Sequence, residues 1–170
     1  MSGAGYDIHL VCGATGAGKS TYSDKLAKSV GGVRFSIDEW MKRLHNMDQP
    51  EQMSFDWFYD RVQRNCAQMR EVAEQLVALG VPSVFDCGLT NKTERDIFAN
   101  WARDRGYSVQ LHFVDVPLET RWSRVEKRNR EQAETFQFHV TRPMFDFIES
   151  IWQAPTDEEM SALSGKRITD

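Results

Sequence analysis

No apolar run in this chain approaches the roughly 20 residues that cross a bilayer. The opening Met-Ser-Gly-Ala-Gly-Tyr-Asp has neither the basic region nor the apolar stretch of a secretory leader. The expectation is a cytoplasmic protein with no membrane partner. Charge of one sign is also lacking: 21 Lys and Arg against 25 Asp and Glu leave a formal net charge of −4. No global basic field therefore draws the chain to nucleic acid. Cysteine is sparse: Cys12, Cys66 and Cys87 are odd in number and fit no metal spacing. Cys12 and Cys87 fall in expected strands, and buried reduced thiols are the reading. The four histidines, His9, His45, His112 and His139, form no ligand cluster, and His9 and His112 are read as structural. Repeats, linkers and low-complexity tracts are missing, so residues 1–170 are read as one domain.

What is present is one strong motif. Residues 13–20, Gly-Ala-Thr-Gly-Ala-Gly-Lys-Ser, match G-x-x-x-x-G-K-[ST]. Ile8-His9-Leu10-Val11-Cys12 before them reads as a buried strand, and Ser20 to Val30 after them as a helix. Strand, glycine loop and helix are the setting of a phosphate-binding P-loop. Glycine lets the backbone turn its N–H groups onto phosphate oxygens, and the helix N-terminus adds partial positive charge. Gly13, Ala14, Thr15, Gly16, Ala17, Gly18, Lys19, Ser20 and Thr21 are thus candidate contacts of a nucleoside triphosphate. Lys19 reaches the β- and γ-phosphates, and the Ser20 hydroxyl is placed to ligate Mg²⁺.

Downstream, strands alternate with helices. Strands are expected at 33–37, 83–87, 109–116 and 166–169, and helices at 40–44, 54–79, 90–105, 117–133, from 141 and from 156. This order implies an α/β fold: a P-loop NTPase three-layer sandwich with a parallel sheet of about five strands, helices on both faces and an arginine-rich lid near 119–140.

Three further places carry chemistry. Asp38, where the second strand is expected to end, lies where open α/β sheets hold their ligands. A carboxylate there aligns a hydroxyl and takes its proton, with Glu39 as second candidate; capping the 40–44 helix is a compatible role. Asp86, ending the third strand, holds the position of a Mg²⁺-binding carboxylate, or else caps the 88–90 turn. The run Arg121 to Arg130 has five basic residues in ten. On a helix, Arg121, Arg124 and Arg128 share a face, and arginine forks suit a transferring phosphoryl group.

These residues resemble the small P-loop kinases of the polynucleotide-kinase, zeta-toxin and chloramphenicol-phosphotransferase type, often labelled AAA-family predicted kinases. The likeness rests on Gly13–Thr21, Ser36-Ile37-Asp38-Glu39-Trp40, Phe85-Asp86-Cys87-Gly88-Leu89-Thr90 with Glu94-Arg95, and Asp115-Val116-Pro117-Leu118 leading to Arg124–Asn129. It implies ATP and Mg²⁺, an acceptor-activating Asp38, and lid arginine at Arg128, joined by Arg124. Polynucleotide kinases carry Arg three residues after that aspartate; Met41 stands there instead, which argues against a nucleic-acid 5′-hydroxyl. The expected reaction is phosphoryl transfer to a small-molecule hydroxyl: an antibiotic, nucleotide sugar, sugar or nucleoside. The alternatives are a regulatory nucleotide-binding module and a nucleic-acid 5′-hydroxyl kinase.

The acceptor side is sought between Trp40 and Arg64, where Trp40, Phe55, Trp57, Phe58 and Tyr59 are followed by Arg61 and Arg64. Glu39, Trp40, Trp57, Arg61 and Arg64 are its candidates. Asn91-Lys92-Thr93-Glu94 imitates a guanine-reading motif but has Glu where Asp is required, and it comes too early in the sheet.

Overall fold

The computed structural model describes residues 5–52, 54–131 and 139–169. At its centre β1 (Ile8–Cys12) is buried at every position. A parallel strand covered on both faces must be apolar on both. Ile8, Leu10 and Cys12 face one side layer, while Val11 faces the other. The P-loop then leads into α1 (Lys19–Val30), which Gly31 ends in a left-handed turn at φ +65°.

β2 (Val33–Ser36) is shorter than the sequence suggests. Ser36 leaves the strand to cap α2 (Ile37–His45), its hydroxyl accepting from the Glu39 N–H at 3.4 Å. The helix therefore begins at Ile37 rather than Trp40, and Asp38 sits in its first turn rather than on the strand. A 3₁₀ turn (Asn46–Asp48) precedes the long α3 (Phe55–Ala78). β3 (Ser83–Asp86), α4 (Lys92–Asp104), β4 (Val109–Val114) and α5 (Leu118–Glu131) follow. The chain finishes with α6 (Arg142–Ile151), α7 (Asp157–Ala162) and β5 (Lys166–Ile168).

The sheet has five strands in the order β2-β3-β1-β4-β5, and every pairing is parallel. One face packs on α3 and α4 through Met69, Ala73, Phe98 and Trp101, with Phe35, Phe85 and Leu111 beneath. Ala27 of α1 covers the other face against Val11, Val84 and Val114. Val125, Val140 and Phe145 form a separate small core that joins α5 to α6. This is the P-loop NTPase three-layer sandwich. Of the lid segment expected at 119–140, residues 132–138 lie outside the described residues. Their two flanks are tied together: Asn129 Nδ2 donates to the Val140 carbonyl at 2.8 Å, and the Val140 N–H donates back to Asn129 Oδ1 at 3.2 Å.

Candidate active site

The P-loop is held between the end of β4 and α5, and two glycines allow it. At Gly13 a Cβ would stand 2.6 Å from the Val114 carbonyl oxygen. At Gly16, where φ is +80°, it would stand 2.5 Å from the Arg121 carbonyl oxygen. Any side chain at either position would force the backbone apart. Lys19 Nζ donates to the Gly13 and Ala14 carbonyls at 2.8 and 3.2 Å, inside the loop's own curl. Burial lowers the Lys19 pKa, and the charges of Asp86 and Asp38 oppose that shift. Ser20 and Thr21 follow in the first turn of α1.

Asp38 occupies the first turn of α2, where the helix dipole favours a carboxylate. Its surface is open to solvent, yet burial is the largest cause of its raised pKa, followed by repulsion from Asp86. Its surface is thus open while neighbouring protein atoms crowd the carboxylate. Lys19, Arg128 and Arg34 pull the other way.

Asp86 is 5 % exposed, and Arg34 holds it. Arg34 Nη2 donates to Asp86 Oδ2 at 2.8 Å, its Nη1 to Glu39 Oε1 at 2.8 Å, and its Nε to Ser23 Oγ at 2.8 Å. Ser23 Oγ lies 3.2 Å from the same Asp86 oxygen. Burial alone would lower the Arg34 pKa; its bonds and charges with Asp86 and Glu39 outweigh that and raise it. Glu39, sought on the acceptor side, is thus bound into this network. Asp86 does not cap the 88–90 turn: the Thr90 N–H donates to Glu94 Oε2 at 2.7 Å. Arg34 and Ser23 were missed in the sequence. The one available signal was a lone charge, Arg34, between Val33 and Phe35 in a short apolar strand.

The three arginines of α5 part company. Arg121 is buried, and its donors are taken up: Nε by the Val116 carbonyl at 2.9 Å, Nη1 and Nη2 by the two oxygens of Glu149 at 2.8 Å each, and Nη1 also by the Thr15 carbonyl at 3.3 Å. The sequence reading turned it toward the nucleotide; instead it braces the P-loop from behind. Arg124 Nη1 donates to the Ala17 carbonyl at 3.4 Å, at the loop's open edge. Arg128 Nε is buried with no hydrogen-bond partner among the described residues. Burial lowers the Arg128 pKa, and Asp38 opposes the shift.

The acceptor-side candidates mostly serve the fold. Trp40 packs on the core and meets the Phe35 ring edge-on. The Arg61 guanidinium lies 3.9 Å from the centre of the Trp57 ring, and Arg64 Nη2 pairs with Asp60 at 2.5 Å. The groove on this side is lined instead by Tyr59, by Asn91, Thr93 and Glu94 at the start of α4, and by residues 150–153. Asn91 is not a base reader: its Oδ1 accepts from the Glu94 N–H at 3.0 Å and caps α4.

Behind the groove, Arg95 is 0 % exposed. It donates to both oxygens of Glu159 at 2.8 and 3.2 Å, and to the Leu89 and Gln153 carbonyls. Glu159 caps α7 and closes this buried pair as well. On the opposite face His9 Nδ1 lies 3.0 Å from His112 Nε2, and the Tyr22 hydroxyl 2.8 Å from His112 Nδ1. Burial holds His112 down to about 3, which suits a neutral structural pair.

Among the described residues no cluster of three or more His, Cys, Asp or Glu is set to hold a metal. The oxygens of Ser20 and Asp86 are the donors at hand. They fit Mg²⁺, which takes one or two protein oxygens and otherwise water and phosphate. No helix among the described residues is long and apolar enough to cross a membrane.

A family model described as AAA domain matches residues 8–147. The chain is similar in structure to a sugar kinase from Janibacter sp. HTCC2649, with TM-score 0.64, 17 % identity, and 97 % of this chain and 86 % of that one covered. It is similar to the APS kinase CysC of Mycobacterium tuberculosis in complex with AMPPNP and APS, with TM-score 0.62, 20 % identity, and 96 % and 88 % covered. It is also similar to Kti12 of Chaetomium thermophilum in complex with ADP-AlF3, with TM-score 0.71, 13 % identity, and 95 % and 88 % covered. No curated protein matches by sequence at a significant level. At these identities the structural likenesses establish the fold.

Proposed function

The chain belongs to the AAA domain family, and from that premise we propose that it is an ATP- and Mg²⁺-dependent phosphotransferase acting on a hydroxyl of a small-molecule acceptor. The observation that carries this reading is the placement of Asp38, an exposed carboxylate in the first turn of α2, where the charges of Lys19 from the P-loop, Arg128 from α5 and Asp86 from β3 bear on it. A nucleotide-binding module that serves only as a switch needs no such carboxylate.

Each residue then has a role. The 13–20 backbone and Lys19 hold the triphosphate. Ser20 Oγ and Asp86 would hold Mg²⁺, which supplies neutralisation of phosphate charge when bound. Arg34 fixes the Asp86 carboxylate. Asp38 aligns the acceptor hydroxyl and takes its proton; a raised pKa makes it the stronger base. Arg128 brings a desolvated guanidinium to the transferring group, where charge-assisted hydrogen bonds count most. Arg124 sits at the loop's edge for the same purpose. Two of the likenesses were solved with nucleotides, AMPPNP and ADP-AlF3, which supports ATP as donor. A nucleic-acid 5′-hydroxyl is disfavoured at Met41, whose sulfur is 3.3 Å from Asn65 Nδ2.

The test is a screen of hydroxyl compounds that reads ADP release, with Lys19→Ala as the dead control. Asp38→Asn is expected to cut acceptor phosphorylation by about 10²- to 10⁴-fold while ATP affinity holds. An active Asp38→Asn enzyme, or ADP release that no compound stimulates, would sink the reading in favour of a regulatory nucleotide-binding module.

A further inference from the structure

The groove between α3, α4 and α6 has a volume of about 470 Å³, in the range of small-molecule sites. It adjoins the reacting end of the molecule. Asp86 ends β3, and Asn91 follows after a turn through Gly88 and Leu89, both with positive φ. Behind that turn the Cys87 thiol donates to Met69 Sδ of α3 at 3.6 Å. The groove thus opens on the segment that joins β3, ending at Asp86, to α4.

Apart from the Glu94 carboxylate, its chemistry is neutral. Lys and Arg are missing from the lining. The cations on the surrounding elements are engaged elsewhere: Arg61 on Trp57, Arg64 with Asp60, Lys92 with Asp96, Arg95 with Glu159, and Arg70 over the Phe98 ring. Residues 53 and 132–138 carry no basic side chain in the sequence. What the lining offers instead is neutral. Gln153 Oε1 accepts from the Lys92 N–H at 3.2 Å and Asn91 Oδ1 caps α4, which leaves both side-chain NH₂ groups as donors. Thr93 and Tyr59 add hydroxyls. The Tyr59 ring, exposed and stacked on Phe55 with centroids 5.5 Å apart, forms a flat wall opposite Ile151. Amides, hydroxyls and an aromatic platform suit a ring that bears several hydroxyls. An anion would meet the Glu94 carboxylate with no cation to offset its desolvation.

We infer that this groove binds the acceptor and that the acceptor is an uncharged, polyhydroxylated ring compound, not a carboxylate- or phosphate-bearing one. The inference rests on the phosphotransferase reading, and the two fail separately. The experiment compares methyl glycosides and nucleosides with uronic acids and nucleoside monophosphates. Binding is followed by ligand-observed NMR in the presence of AMPPNP and Mg²⁺, and turnover by ADP release. Saturable binding and phosphorylation are expected from the neutral set. Tyr59→Ala, on an exposed side chain, is expected to weaken that binding about five- to tenfold and leave ATP affinity unchanged. Phosphorylation of an anionic compound in preference to its neutral counterpart overturns the inference and leaves the kinase reading standing. So does neutral binding indifferent to Tyr59→Ala. If no neutral ring compound binds while ATP does, the inference is overturned as well; ADP release stimulated by some other hydroxyl compound then shows whether the kinase reading survives.

Discussion

The P-loop and the groove between α3, α4 and α6 are built from different materials. On the phosphate side the backbone does the fixing: Gly13 and Gly16 are pressed against carbonyls of Val114 and Arg121, and Lys19 and Arg124 bond to the loop's own carbonyls. In the groove, side chains from α3, α4 and the end of α6 form the border, and Phe55 and Tyr59 are left exposed. A triphosphate is the same for every enzyme that uses it, so a rigid backbone cradle serves. If the groove takes the acceptor, as proposed above, its side chains are free to differ from enzyme to enzyme without disturbing the sheet.

The largest break in that comparison is expected at Gly16→Ala. The added carbon meets the Arg121 carbonyl, and φ is +80°, so a loss of about 2–4 kcal/mol of stability is expected together with ATP binding. Denaturant unfolding and nucleotide titration read both. Tyr59→Ala, which removes only an exposed ring, should trouble neither, which is why that experiment is informative.

Next in size is a contrast within α5. Arg121→Met strands Glu149 and releases the Thr15 carbonyl; about 2–3 kcal/mol of stability is expected to go, less than for a fully buried pair because Glu149 is partly exposed. Arg128→Met removes a buried guanidinium nitrogen that has no partner among the described residues. It is expected to leave the melting temperature level or higher while turnover falls about 10²- to 10³-fold. Equal melting temperatures for the two variants would erase the distinction between brace and lid.

The smallest effect is on stability at Asp38. Its pKa is raised from 3.8, so the folded state holds a proton where the unfolded state has released it. Stability therefore falls as pH rises from the ordinary carboxylate value through the raised one. Asp38→Asn removes that loss, and at neutral pH a melting temperature no lower than that of the wild type is expected. The acid limb of the wild-type rate profile should lie above 3.8 for the same reason. A variant that melts lower than wild type would argue that Asp38 is chiefly a helix cap.

The elements and the phosphate cradle were legible because they depend on local pattern. Periodicity marks α3, Gly31, Gly80 and Gly106 mark helix ends, and the eight-residue motif marks the loop. The partners of charged side chains were not legible, since they come from distant elements. Arg121, Arg124 and Arg128 lie on one face by spacing, but whether a given fork meets Glu149, a loop carbonyl or open cleft depends on how α6 and the P-loop pack against α5. The same holds for Arg34, whose partners Ser23, Glu39 and Asp86 lie on three different elements. Trp40, Trp57, Arg61 and Arg64 had the composition of a binding surface and turned out to pack with their own neighbours.

The buried Arg95 also bears on the order of synthesis. Its carboxylate partner, Glu159, stands 64 residues later in the chain, which takes the ribosome on the order of ten seconds to add. Until then the turn after β3 has a guanidinium to bury and nothing to bury it against. By contrast, the carbonyls that press on Gly13 and Gly16 come from β4 and α5. Those contacts of the P-loop can form while the nascent chain is still growing, before the Arg95–Glu159 pair closes.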